Sequence, residues 1–115
     1  SHQADVSFLV TMLLFHVVLV APAEEYLFRG GLQGSLREVF GPVASISLAS
    51  LAFGLFHLPN YTGSLSEVLS GVIVISIVSI SYGFVYEKTR NLLVPITTHA
   101  LYNSILFGGQ LFAIV

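Results

Sequence analysis

The stretch HVVLVAPAEEYLFRG, residues 16–30, places two adjacent carboxylates and an arginine inside an otherwise apolar run. An apolar run of this kind predicts a membrane-spanning helix, because a span needs about 20 apolar residues at a rise of about 1.5 Å each. Charged side chains at membrane depth are costly, and they usually mark a functional site where they occur. Glu24, Glu25 and Arg29 therefore indicate where the chemistry of this chain is to be sought.

The composition of the whole chain is that of a membrane protein. Of the 115 residues, 55% are hydrophobic and 9% are charged, whereas soluble domains carry about 25% charged residues. Four Lys and Arg residues and a formal net charge of -2 provide no basic surface, which excludes nucleic acid as a partner. The chain has no cysteine, so a thiol nucleophile and a cysteine-based metal site are excluded as well.

Apolar segments cover most of the chain: 6–36, 42–58, 65–87 and 95–114. They predict an all-α polytopic membrane protein, a compact bundle of about four transmembrane helices. The first segment is too long for one perpendicular span and contains Pro22, so we expect it to be tilted, or kinked near that proline. We interpret residues 1–115 as one membrane-embedded domain, the core of a longer protein.

Local signals mark the ends of these segments. Gly41-Pro42 is typical of a helix start, and Ser64-Leu-Ser-Glu67 is a capping box that predicts the start of the third helix. Small residues such as Ser50 and Gly54 recur at helix-contact spacing and favour close packing of helices.

Basic residues predict how the chain is oriented in the membrane. Arg37 lies in the first connection, and Lys88 and Arg90 lie in the third, whereas the second connection has no Lys or Arg. By the positive-inside rule, connections 37–42 and 87–94 are cytoplasmic. We therefore expect a multi-pass protein of the cell membrane, in contact with lipid.

Helix geometry gives the two adjacent carboxylates different environments. Glu25 and Arg29 are four residues apart, which puts them on one helix face as an ion pair. Glu24 is rotated by about 100° from Glu25 and has no cation at helical spacing. A carboxylate without a cation and away from water holds a proton more readily, as a general base must. We expect Glu24 to be the base, with Glu25 and Arg29 supporting the site.

Later segments supply partners for that carboxylate. His99 and Asn103 project from a common face of the fourth segment, and both can donate hydrogen bonds to an oxyanion. His57 follows Phe53 by one turn, so that the phenyl ring can pack beneath the imidazole. The helical rise places His57 level with Glu24, beside which it could orient a water molecule.

The depth of His99 requires a further hypothesis. His99 follows Pro95 by only about 6 Å of helix, which would leave it far from Glu24 if the helix began at the membrane surface. We therefore expect residues 91–94 to be extended and to dip into the protein core, which could carry the chain about 13 Å inward.

These residues form three motifs that resemble those of the CPBP intramembrane protease family, also called Abi. EEYLFR at 24–29 is similar to E-E-x-x-x-R, FGLFH at 53–57 to F-x-x-x-H, and HALYN at 99–103 to H-x-x-x-N. That family includes the CAAX prenyl endoproteases and bacterial proteins linked to bacteriocin processing and immunity. The resemblance covers residues 24–103 and implies an intramembrane endopeptidase.

The resemblance also implies a role for each motif. Glu24 would activate water with help from His57, while His99 and Asn103 would stabilise the tetrahedral oxyanion. The implied substrate is a membrane-associated peptide or a prenylated CAAX-type protein.

Zinc is an alternative use of the same side chains. Glu24, His57 and His99 form an acceptable catalytic shell of two histidines and one carboxylate with an open position for water, which would make the chain a metalloprotease. The sequence has no H-E-x-x-H motif, and Asn103 beside a histidine fits an oxyanion hole as well as a metal site. Both interpretations stay open.

Two functions outside catalysis compete with the peptidase. The polar cluster could be structural in a membrane scaffold or a bacteriocin-immunity protein of the same fold. Chains of Glu and His also serve as proton relays in carriers, although a carrier of this size would need further helices to enclose a path. His16 matches no motif, and we interpret it as a helix-packing or cavity histidine.

Overall fold

The computed structural model describes residues 2–114, which form helices and short connections without a strand. The long helices are α1 over 2–37, α2 over Pro42–Phe56, α3 over Leu65–Thr89 and α4 over Leu93–Ile114. A short 3-10 turn, Leu58–Asn60, follows α2. The predicted all-α bundle of about four helices is confirmed. Ser1 and Val115, the ends of the predicted domain, lie outside the described residues.

Three helices in the described part of the chain are long and apolar enough to cross a membrane: Gln3–Arg37, Pro42–Asn60 and Leu65–Thr89. Helix α4 has 22 residues but is not among them, and its sequence carries several polar side chains, His99 and Asn103 included. The three spans make the chain an integral membrane protein.

Helix α1 passes through Pro22 by a change of winding. Proline lacks an N–H and its ring collides with the carbonyl four residues back in an ordinary α-helix. Before this proline the helix widens into a π-helical segment, His16–Val20, in which the N–H of Ala21 donates to the carbonyl of His16, five residues back. A second π-helical segment covers Tyr26–Gln33. The long first segment is therefore one continuous helix, and its wide turns flank the acidic pair.

The predicted helix starts are present. Gly41 is the N-cap of α2 and Pro42 is its first residue. At the start of α3, the N–H of Glu67 donates to Ser64 Oγ at 3.2 Å, and the N–H of Ser64 donates to Glu67 Oε1 at 3.4 Å. The capping box is therefore confirmed.

The start of α4 differs from the prediction. The helix begins at Leu93, ahead of Pro95, and the side-chain Oδ1 of Asn91 accepts a hydrogen bond from the N–H of Leu93 at 3.0 Å. The expectation that residues 91–94 are extended is wrong, because Asn91 caps the helix and proline is tolerated within a first turn, where its N–H is not needed.

The chain nevertheless enters α4 at depth. A Cβ built on Gly30 would lie 3.3 Å from Leu92 Cδ1, which puts the connection beside the middle of the second π-helical segment of α1. Pro95 is among the fully buried residues. From Leu92 to His99 the helix descends about 10 Å, and from Gly30 to Glu24 about 9 Å. The two functional residues are therefore level without an extended segment.

The helices meet at a small aromatic core. Phe28 of α1, Phe53 of α2 and Tyr82 of α3 are buried against one another. Close packing of α2 and α3 depends on Gly54, where a Cβ would collide with Ser76 Oγ and lie 2.9 Å from the carbonyl of Val72. The expected role of this small residue in helix contact is confirmed.

A ladder of polar contacts joins α1 to α3, and each contact links a residue to one fifty positions later. The pairs are Arg29 with Ser79, Gln33 with Gly83, and Arg37 with Glu87. Both helices advance by four residues between contacts, which means that they run parallel and in register. Among these residues Arg29, Gln33 and Ser79 are fully buried.

Candidate active site

Glu24 of α1 lies between two histidines that belong to other helices. Its Oε2 atom is 3.1 Å from Nε2 of His57 at the end of α2. Its Oε1 atom is 3.6 Å from Nε2 of His99 on α4. Three of the four residues predicted from the sequence as catalytic are thus brought to one point.

The tautomer of His57 follows from its other contact. Nδ1 of His57 is 2.6 Å from the carbonyl oxygen of Phe53, and a carbonyl can only accept, so Nδ1 carries the hydrogen. In the neutral ring, Nε2 then offers a lone pair to Glu24. Two acceptors can lie 3.1 Å apart with a hydrogen bond only if a proton sits between them. A proton taken up by Glu24 would therefore complete a hydrogen bond to His57.

Glu25 holds the second histidine. Its Oε1 atom accepts from Nε of Arg29 at 2.9 Å, and its Oε2 atom is 2.8 Å from Nδ1 of His99. The expected ion pair of Glu25 with Arg29 is present and fully buried. Because the carboxylate accepts from Nδ1–H, Nε2 of His99 is left facing Glu24. This contact between Glu25 and His99 was not predicted from the sequence.

Arg29 ties this arrangement to α3. Its Nη2 atom donates to the carbonyl oxygen of Ser79 at 3.0 Å and also contacts Ser79 Oγ. Its guanidinium lies 5.4 Å from the centre of the Phe53 ring, a cation–π distance. The hydroxyl and the carbonyl of Ser79 are thus both partners of a buried cation.

Aromatic rings fix the orientation of both imidazoles. The Phe53 ring is 4.6 Å from that of His57 and meets His99 edge-on at 5.7 Å. Tyr82 stacks on His99 at 4.7 Å with an angle of 14° between the ring planes. Phe53 was expected beneath His57, whereas the stacking of Tyr82 on His99 was not predicted from the sequence. None of the three sequence motifs includes a residue of α3, so they gave no indication of this role for Tyr82.

A cavity of about 490 Å³ opens beside Glu24 and is lined by helices α1, α3 and α4 and by the connection that follows α2 from His57 onward. The lining residues include His16, Glu24, His57, Asn60, Tyr61, Ser70, Gly71, His99, Tyr102 and Asn103. Asn103 lines this cavity one turn beyond His99, and within residues 2–114 its side chain has no hydrogen bond. The structure places His16 at the same cavity, with its Nδ1 2.8 Å from the carbonyl oxygen of Met12.

The residues named as possible zinc ligands converge at one point. Across the described range, no group of three or more His, Cys, Asp or Glu side chains is arranged to hold a metal ion. Nε2 of His57 and Nε2 of His99 each face an oxygen of Glu24 instead. The arrangement is a carboxylate set between two imidazoles, suited to moving a proton at the edge of a cavity.

Comparison with protein-family models matches residues 6–105 to a family described as type II CAAX prenyl endopeptidase Rce1-like. No curated protein and no solved structure shows a significant match to the chain. The matched range contains the three sequence motifs, Glu24 and the two histidines that face it.

Proposed function

Because this chain belongs to the type II CAAX prenyl endopeptidase Rce1-like family, we propose that it is an intramembrane endopeptidase in which Glu24 is the general base. One observation carries the proposal: the Glu24 carboxylate faces the Nε2 atoms of His57 and His99 at the edge of a cavity of about 490 Å³. The three helices that are long and apolar enough to cross a membrane fit a protease that acts within the membrane.

The first chemical step is the attack of water on the peptide carbonyl carbon. Glu24 takes a proton from the water as the new C–O bond forms. His57 accepts a hydrogen bond from the protonated Glu24 through Nε2, and the carbonyl of Phe53 keeps the imidazole in that tautomer. General base catalysis by a positioned group of this kind contributes about 10²- to 10⁴-fold in rate.

The second requirement is a set of donors for the oxyanion. Asn103 can donate through its amide, and His99 can donate through Nε2 when the ring is protonated. Glu25 supports that protonated ring, because its carboxylate lies 2.8 Å from Nδ1. When the tetrahedral intermediate collapses, the C–N bond breaks, and the leaving amine takes the proton held by the Glu24–His57 pair.

The substrate class follows from the family. We propose a prenylated CAAX-type protein or a membrane-associated peptide, cleaved by a single domain over residues 1–115. We further propose that the protein resides in the cell membrane with connections 37–42 and 87–94 in the cytoplasm, as the distribution of Lys and Arg suggests. Proton transfer in this scheme passes through carboxylate and imidazole, and a zinc centre is the competing mechanism.

The test is cleavage of a fluorescent prenylated CAAX peptide by the purified protein in lipid vesicles. The Glu24→Gln variant keeps the shape of the side chain but cannot act as a base, so we expect cleavage to fall by about 10²-fold or more. Thermal unfolding should stay close to that of the wild type. Glu24→Asp keeps the carboxylate and should retain part of the activity.

The outcomes separate the candidate functions. Undiminished cleavage by a folded Glu24→Gln variant would remove Glu24 as the base. A folded wild-type protein that cleaves neither prenylated nor unmodified membrane peptides would favour the non-catalytic scaffold or immunity protein.

A further inference from the structure

Tyr61 is rigidly connected to the proposed site. It lines the same cavity as Glu24 and follows His57 through the 3-10 turn Leu58–Asn60. The N–H of Asn60 donates to the carbonyl of His57 at 2.9 Å, and the N–H of Tyr61 donates to the carbonyl of Leu58 at 3.1 Å. The backbone between the imidazole and the tyrosine is therefore a closed turn, which fixes one relative to the other.

Helix α3 holds the other side of the Tyr61 ring. A Cβ built on Gly71 would lie 2.6 Å from Cε1 and 2.7 Å from Cδ1 of this ring. These distances are shorter than real Cβ contacts, so a side chain at position 71 would require the Tyr61 ring to move. Tyr61 is thus clamped between the turn after His57 and the backbone of α3.

A second tyrosine lies close to the first. Tyr102 of α4 also lines the cavity, and it packs against the aromatic core. Burial raises the pKa of the Tyr61 hydroxyl, and the nearby Tyr102 raises it further. The shared cavity lining and the effect of Tyr102 on the Tyr61 hydroxyl both indicate that the two rings are neighbours and form one wall of the cavity.

We propose that Tyr61 limits the size of the substrate side chain accepted next to the scissile bond. This inference rests on the proposed peptidase function. The scissile carbonyl must lie within about 3 Å of a water on Glu24, and Tyr61 is fixed in the same cavity by the turn that begins at His57. A wall of this kind discriminates by volume, and each methylene group is worth about 10- to 200-fold in kcat/KM.

The experiment compares two prenylated CAAX peptides that differ only in the residue beside the scissile bond, alanine in one and phenylalanine in the other. The measured quantity is the ratio of kcat/KM for the bulky peptide to that for the small one. Tyr61→Ala should raise this ratio by about tenfold or more. Tyr61→Phe keeps the ring and should leave the ratio as in the wild type.

A double-mutant cycle tests the clamp itself. Gly71→Ala introduces a methyl group where the Tyr61 ring lies, so it should change the ratio in the wild-type background. The same substitution in a Tyr61→Ala background should have no further effect, because the ring that it displaces is gone. Such non-additivity is expected of residues in contact or coupled through a shared cavity, and not of distant independent sites.

The remaining outcomes overturn the inference in distinguishable ways. A ratio that stays within about twofold of the wild type in active Tyr61→Ala, where removal of the ring should give tenfold, contradicts it while leaving the peptidase function intact. Complete loss of activity in folded Tyr61→Ala and Tyr61→Leu also overturns it, because the ring would then be needed for catalysis itself. Absence of cleavage by the wild type removes the proposed function, and this inference falls with it.

Discussion

Nδ1 of His99 lies 2.8 Å from Oε2 of Glu25, although 74 positions separate them along the chain. The other oxygen of Glu25 accepts from Arg29 at 2.9 Å. One buried carboxylate therefore balances a cation on its own helix and orients a histidine on another. The adjacent acidic residues consequently have separate tasks, because Glu24 faces the cavity and Glu25 supports the histidine.

Replacement of Glu25 should affect both stability and rate. Glu25→Gln leaves the buried Arg29 without its counter-charge, which we expect to cost about 3–5 kcal/mol in the free energy of unfolding. The same change removes the carboxylate that supports protonated His99, so kcat should fall as well. Unfolding in mixed micelles and cleavage of the prenylated peptide measure the two effects. Unchanged stability would contradict the ion-pair role, and the charge-preserving Glu25→Asp variant should lie in between.

The two arginines on the α3-facing side of α1 should differ sharply in their contribution. The side chain of Arg29 is 0% exposed, whereas that of Arg37 is 28% exposed. We expect Arg29→Met to cost about 3–5 kcal/mol in unfolding free energy, and Arg37→Met about 0–1 kcal/mol. Salt should weaken the contribution of the exposed pair only. Equal costs for the two variants would show that burial does not determine how much each arginine contributes to the free energy of unfolding.

Asn103 should matter for rate and not for folding. Asn103→Ala removes a proposed oxyanion donor, which we expect to lower kcat by about 10²- to 10³-fold. The free energy of unfolding should change little, because the side chain lines the cavity and has no hydrogen bond within the described residues. Ser104→Ala, on the next position of α4, removes only a bond from Ser104 Oγ to the carbonyl of Ala100 and serves as the control. Equal kinetics for both variants would exclude Asn103 from the reaction.

Chelation distinguishes the carboxylate mechanism from a zinc mechanism. We expect purified active protein to contain no stoichiometric zinc and to keep its activity after dialysis against EDTA. Metal content by mass spectrometry and the peptide assay before and after dialysis provide the measurement. Loss of activity that added zinc restores would instead assign Glu24, His57 and His99 as metal ligands.

Local signals in the sequence predicted local structure well. The capping box at Ser64, the start of α2 at Pro42 and the ion pair of Glu25 with Arg29 all depend on residues within one or two turns of each other. The level positions of Glu24 and His57 followed from the constant rise of a helix. These features need no knowledge of how separate helices pack.

Features that depend on packing between helices could not be predicted in the same way. The bond from Gln33 to Gly83 arises because α1 and α3 run parallel at one register. The stacking of Tyr82 on His99 depends on how α3 packs against α4. No spacing within a single helix encodes either contact. The start of α4 was misplaced for a similar reason. The dip of residues 91–94 toward the core was expected, but Leu92 meets Gly30, so that depth is reached without an extended segment.

The ladder between α1 and α3 has a mechanical consequence for the proposed site. Its three contacts are all one helical turn apart, so a slip of α3 by one residue would break them simultaneously, with Arg29 stranded in the interior. The three contacts therefore fix the position of α3 along the membrane normal relative to α1. The same contacts between α1 and α3 also set the height of Tyr82 relative to His99 and of Gly71 relative to Tyr61. The dimensions of the cavity therefore depend on polar contacts that lie outside it.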